Sequence, residues 1–150
     1  MQRSKRFEPI QQIVAASAEE LAKRVAESGR RVAELDRQLT QLNSYRDEYV
    51  NSSKATQGVM DAVKLQNYRS FLDRLGEAIR QHVIKLDAAR AEHEKRRVIW
   101  SDKRVEIESL GRAVERFRRQ ETHESEQREQ RDGDEAAMRI ALARIEAAKQ

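Results

Sequence analysis

The sequence predicts an all-α protein: an antiparallel two-helix coiled-coil hairpin whose second helix is the longer. Three observations predict it. From Leu65, steps of three and four residues meet Tyr68, Leu72, Leu75, Ile79, His82, Leu86, Ala89, His93, Arg96, Trp100, Lys103, Ile107, Leu110, Val114 and Phe117, and twelve of these sixteen positions are apolar. A seven-residue repeat kept that long is the pattern of a supercoiled helix that buries one narrow stripe against another helix. Upstream, the same stepping gives Val14, Ala18, Leu21, Val25, Ser28, Val32, Leu35, Leu39, Leu42, Arg46 and Tyr49, broken only at Ser28 and Arg46. Between the stripes lies Asn51-Ser-Ser-Lys-Ala-Thr-Gln-Gly58, a polar, glycine-ended connection suited to doubling the chain back.

Composition agrees. The chain has 150 residues, 38% hydrophobic and 37% charged, which is too thin an apolar supply for a thick core. One proline and 5% aromatics suit long helices. Without cysteine there is no disulfide framework and no thiolate metal site. No apolar run approaches a membrane span and residues 1–20 lack the apolar core of a signal peptide, so a cytoplasmic chain without direct membrane insertion is expected. Thirty Lys+Arg against 26 Asp+Glu leave +4, a mild surplus that does not establish nucleic-acid binding.

Residues 1–8, with Arg3, Lys5 and Arg6, read as a basic N-terminal arm. Pro9 suits a first helical turn, where its missing N–H costs nothing, so helix one is expected over about 9–51. Gly29 is its weak point, costing about 1 kcal/mol relative to Ala. A turn follows over about 52–61, and the Asp61 carboxylate is placed to cap helix two, expected over about 62–120. Residues 121–135 contain no apolar side chain and suit a solvated extension or a linker. Met138, Ala141, Leu142 and Ile145 then suggest a short terminal helix within 121–150.

Folding the arms about the loop centre sets Leu35 against Ile79, Val25 against Ala89, Val14 against Trp100 and His93 against Leu21. Helix one then runs out opposite Val105, and the stripe Ile107, Leu110, Val114 and Phe117 overhangs it. An exposed apolar stripe is unfavourable by about 25 cal/mol per Å² and marks a surface that something covers. A partner, a second copy, or the folding back of 134–149 would each do so.

Catalytic and metal chemistry find no support. His82 and His93 share a stripe but stand eleven residues apart, roughly 16 Å along a helix, and His123 lies elsewhere. No phosphate loop, zinc-protease or nucleophile-elbow motif occurs, so no enzyme, cofactor or metal is expected. Near the turn the apolar surface is wider than a seam requires. Gln38, Leu42, Tyr45 and Tyr49 are spaced 4, 3, 4, as are Phe71, Leu75, Ala78 and His82. Together they make either a binding patch of aromatic groups with polar tips or a thickened core.

At these residues the chain resembles the FliJ family, the coiled-coil component of the flagellar type III export apparatus. The likeness lies in Gln38-x-x-x-Leu42-x-x-Tyr45-x-x-Glu48-Tyr49, in Asn67-Tyr68-x-x-Phe71-x-x-x-Leu75-x-x-Ala78-Ile79-x-x-His82, in Trp100-x-x-Lys103, and in the plan of two long helices. The resemblance implies a hairpin like the two-helix stalk of the rotary ATPase gamma subunit. It also implies three partners: the hexameric flagellar export ATPase, the cytoplasmic domain of the export gate, and substrate-specific export chaperones. The setting would be flagellum biogenesis and motility, at the cytoplasmic side of the inner membrane. The gate-contacting residue types of the family occur here as Gln38, Leu42, Tyr45, Tyr49, Phe71, Leu75, Ala78 and His82. ATPase contact is expected at the end that carries both termini, and the unpaired stripe assigns it to Phe7, Ile10, Ile107, Leu110, Arg112, Val114, Arg116 and Phe117. Two other readings compete: an escort that shields export clients on Leu110, Val114 and Phe117, and a basic coiled coil binding nucleic acid through Arg112, Arg116, Arg118 and Arg119.

Overall fold

A computed structural model describes residues 3–54, 58 and 60–149. Its helices are α1 (Arg3–Arg6), α2 (Glu8–Lys54) and α3 (Ala62–Lys149). α1 and α2 are separate because Pro9 has no N–H to return to the carbonyl one turn back. The chain restarts at Phe7, whose N–H donates to the Ser4 carbonyl at 3.3 Å and whose carbonyl accepts from Gln11 at 2.8 Å. At the other break, the Asp61 carboxylate accepts from the Lys64 N–H at 2.8 Å while its carbonyl accepts from Leu65 at 3.0 Å, which is the expected N-cap. The turn residues 55–57 and 59 lie outside the described residues.

The contacts divide the chain into a terminal unit, Met1–Ser17 with Lys103–Gln150, and a loop-side unit, Ala18–Asp102. In the loop-side unit α2 and α3 run antiparallel along the predicted seam. Every stripe position there is buried or half-buried, with Leu35 and Leu86 only 3% exposed. Polar seam residues are satisfied in place. Ser28, buried, donates to the Val25 carbonyl at 2.9 Å, which leaves the His93 Nδ1–H to donate to Ser28 Oγ at 2.7 Å. Gly29 makes room for that ring: a Cβ there would meet His93 Cε1 at 3.4 Å. Arg96 donates to the Arg24 carbonyl at 3.0 Å and to Glu92 at 3.1 Å. Among the described residues no buried side-chain nitrogen or oxygen lacks a hydrogen-bond partner.

The expected register needs correction. His93 meets Ser28 rather than Leu21, and the Arg96 head meets the Arg24 carbonyl. A heptad seam permits slides of seven residues without moving any side chain off the stripe, so periodicity fixes which faces meet but not how far each arm has slid.

In the terminal unit the expected apolar overhang is absent. Phe7 stacks on Phe117 with ring centroids 5.4 Å apart and planes 13° apart, and Ser4 reaches Glu121. Ile107, Leu110 and Phe117 are half-buried, and Val114 is 2% exposed. Cover ends at Glu121, after which every residue from Thr122 to Lys149 is exposed. α3 continues unbroken through that stretch, including Gly133, where a linker was one expectation. Among the described residues no helix is long and apolar enough to cross a membrane.

Candidate functional site

The two residue sets singled out from sequence fall in different units. In the loop-side unit, heptad phase puts Gln38 and Tyr45 of α2, and Phe71 and Ala78 of α3, on the flank beside the seam. The aromatics meet there. Tyr45 contacts Phe71 edge-on at 6.2 Å and Tyr49 at 6.5 Å, while Tyr49 packs on Phe71 at 4.6 Å and stacks on Tyr68 at 5.3 Å. Such pairs are worth about 0.5–1.5 kcal/mol each beyond the area they bury, so this end is held firmly.

Beside the aromatic cluster a shallow groove of about 410 Å³ is lined by Gln38, Gln41, Leu42, Tyr45 and His82. Tyr45, 51% exposed, forms one open wall of it. Gln38 is steadied by its amide, which donates to Glu34 at 3.1 Å. The His82 ring is committed inward: Nε2 lies 3.0 Å from the Leu35 carbonyl, which can only accept, so Nε2–H is the donor. Leu75 is a buried seam residue and Ala78 is exposed. Groove and aromatic cluster therefore bring together Gln38, Leu42, Tyr45, Tyr49, Phe71 and His82. Tyr68 and Gln41 join them; Tyr68 was legible as a stripe position, whereas Gln41 gave no signal.

In the terminal unit, Phe117 contacts both the Phe7 ring and the Arg3 guanidinium, which lies 5.9 Å from its centroid. Glu121 accepts from the Ser4 N–H at 3.0 Å and from its hydroxyl at 2.6 Å. These donors from Ser4, first the hydroxyl and then the N–H, hold the Glu121 carboxyl below the usual carboxylate range, and Arg118 adds to the effect. Sequence reading missed this clamp. The signal was available: stepping back from Val14 gives Gln11, Phe7 and Ser4, which carries the seam into α1.

Of the eight residues assigned to an ATPase contact, Phe7, Ile107, Leu110, Val114 and Phe117 are engaged by this seam, whereas Ile10, Arg112 and Arg116 are exposed. Among the described residues no group of three or more His, Asp or Glu side chains is arranged to hold a metal ion. No curated protein and no solved structure matches the chain. The match found is to a family, and it covers nearly the whole seam: over residues 3–146 the sequence fits that of the flagellar FliJ protein, and the chain belongs to that family.

Proposed function

We propose that the chain, as part of the flagellar export apparatus to which its family belongs, is a non-enzymatic coupler between the hexameric export ATPase and the cytoplasmic domain of the export gate. The observation that carries this reading is the open aromatic groove beside Tyr45, flanked by the polar tips of Gln38 and Gln41. Exposed tyrosine over a rigid aromatic base is the composition of a protein-binding hot spot. In this reading Gln38, Leu42, Tyr45, Tyr49, Phe71 and His82 meet the gate, and Leu75 and Ala78 shape the surface around them.

Contact with the ATPase runs through exposed groups of the terminal unit, Ile10, Arg112 and Arg116, because the apolar stripe beside them is already occupied. The same occupancy removes the surface on which a client escort would rely at Leu110, Val114 and Phe117. Handling of substrate chaperones, peripheral association with the inner membrane, and likeness to a rotary gamma-subunit stalk belong to the same proposal. Nucleic-acid binding is disfavoured, since Arg112 and Arg119 lie beside Glu108 and Glu115 at 3.8 Å and 3.4 Å.

Tyr45→Ala tests the groove better than any change at Leu75, whose loss would also open a cavity in the seam. It is expected to weaken gate-domain binding about tenfold or more, measured by calorimetry, with helix content retained. Unchanged affinity would remove the groove from the gate contact. Arg112→Glu with Arg116→Glu is expected to weaken ATPase assembly and leave gate binding as it was.

A further inference from the structure

The bare part of α3 keeps the heptad phase of the covered part. Continuing from Phe117 by threes and fours, the seam passes through Glu121, Glu124, Arg128, Arg131 and Glu135, then becomes apolar again at Met138, Leu142 and Ile145. The last three are 66%, 56% and 53% exposed. Glu124, Arg128 and Arg131 make no ion pair within the chain among the described residues, although Glu124 and Arg128 are four apart on one helix.

We propose that this segment is a self-association surface, and that two copies of the chain pair antiparallel along α3 about a two-fold axis at Ser125–Gln127. The occupant follows from the order of the charges. In that register Glu121 of one copy faces Arg131 of the other and Glu124 faces Arg128; on the adjoining flank Arg118 faces Asp132 and Ser125 faces its own copy. Symmetry makes each ion pair occur twice. A slide of one heptad in one direction sets Arg128 against Arg131, and in the other sets Glu121 against Glu124. Parallel, in-register pairing sets every charge against its like. One arrangement out of these four sets no seam charge against its like, with Glu135 falling level with Phe117, and seam charges of this kind specify partner and orientation in coiled coils.

The apolar residues fall into place in the same register. Met138 comes level with Val114, Leu142 with Leu110 and Ile145 with Ile107 of the other copy. Counted from the Phe7–Phe117 stack, those seam residues already lie level with α2, so the incoming helix lies along the flank of the pair. Counting from the Phe7–Phe117 stack, Ile10 falls level with Val114 and Ile13 with Gly111. Ile10 and Ile13 are 46% and 70% exposed on α2, and a Cβ at Gly111 would meet nothing within 4 Å, so a third helix finds both apolar side chains and room. At the axis, a hollow of about 480 Å³ opens between Arg3, Phe117, Glu121, Glu124 and Arg128, and another of about 520 Å³ between Lys5, Arg118, Glu126 and Glu129. Ser125 lines both and is small enough to admit its symmetry mate. Each copy contributes a bare helix about 40 Å long, so the contact is formed twice over.

The proposal does not depend on the coupler reading, and its test uses the chain alone. Sedimentation equilibrium of the full chain is expected to show a monomer–dimer equilibrium that weakens with salt. Glu124→Arg sets Arg against Arg128 twice, and Arg128→Glu sets Glu against Glu124 twice; each is expected to raise the dimer dissociation constant about tenfold. Both positions are exposed, so circular dichroism should be unchanged. Mixing the two variants is the decisive arm, because in the mixed dimer both positions are again opposite in charge and association should return to the wild-type level. Spin labels at Ala148→Cys should lie roughly 65 Å apart in the dimer. A wild-type monomer at every concentration, a dimer indifferent to both reversals, a mixture that fails to recover, or labels in close proximity would each overturn the proposal.

Discussion

Within the terminal unit, residues 103–121 and 122–149 of α3 share one helix and one heptad phase, and they differ in cover. Leu110 and Leu142 both occupy seam positions; the first is half-buried, whereas the second is 56% exposed. Phase thus decides which face of a helix packs, and says nothing about whether anything is present to pack on it. What holds the bare stretch helical is local. Residues 136–149 carry alanine at 136, 137, 141, 143, 147 and 148, and Glu135 pairs with Arg139 at 3.6 Å. A lone helix of that kind is marginal in water, whereas the covered stretch gains its stability from burial.

The largest expected effect separates the two stretches directly. At concentrations where the chain is monomeric, Leu110→Ala should lower unfolding stability by about 2 kcal/mol, the low end for a leucine that is only half-buried. Leu142→Ala should change it by less than about 0.5 kcal/mol. Urea midpoints at constant slope read both; equal losses would mean that the stretch beyond Glu121 is covered after all. A smaller effect comes from the glycines. A Cβ at Gly111 or Gly133 meets nothing within 4 Å, so each Gly→Ala change should recover about 1 kcal/mol of helix propensity. In the covered stretch that gain should appear in the global midpoint. At Gly133 it should appear only as slower amide exchange around the substitution, because that turn opens without unfolding the rest.

The same distinction explains what could be read from the sequence. The seam positions from Val14 to Tyr49 and from Leu65 to Phe117 were legible, since burial on one side of a helix leaves a period in the chain, and Asp61 was legible as a cap because its chemistry is local. Register was not: His93 finds Ser28 through one hydrogen bond and the space above Gly29, neither of which leaves a periodic trace. From that misplaced register came the apolar overhang, and from the overhang the assignment of Leu110, Val114 and Phe117 to a partner. At the candidate groove, Gln38, Leu42, Tyr45 and His82 could be grouped from spacing, but the inward commitment of the His82 ring to the Leu35 carbonyl is a three-dimensional fact.

The finest test lies at Glu121, where cover ends. Its carboxyl is held below the usual carboxylate range because the Ser4 hydroxyl and N–H donate to the charged form and not to the protonated one. A carboxyl depressed in this way contributes fully above its unfolded value of about 4.3 and loses that contribution as pH falls through its lower folded value. The clamp should therefore be complete at neutral pH and open only in acid, releasing α1 while the loop-side seam stays closed. Carboxyl chemical shifts should place the Glu121 midpoint below the ordinary glutamate range, and protection of the Ser4 amide should follow the same curve. Glu121→Gln removes the charge and should make that protection weaker and indifferent to acid. If Glu121 instead titrated in the ordinary glutamate range, the covered and bare stretches would meet somewhere other than at this residue.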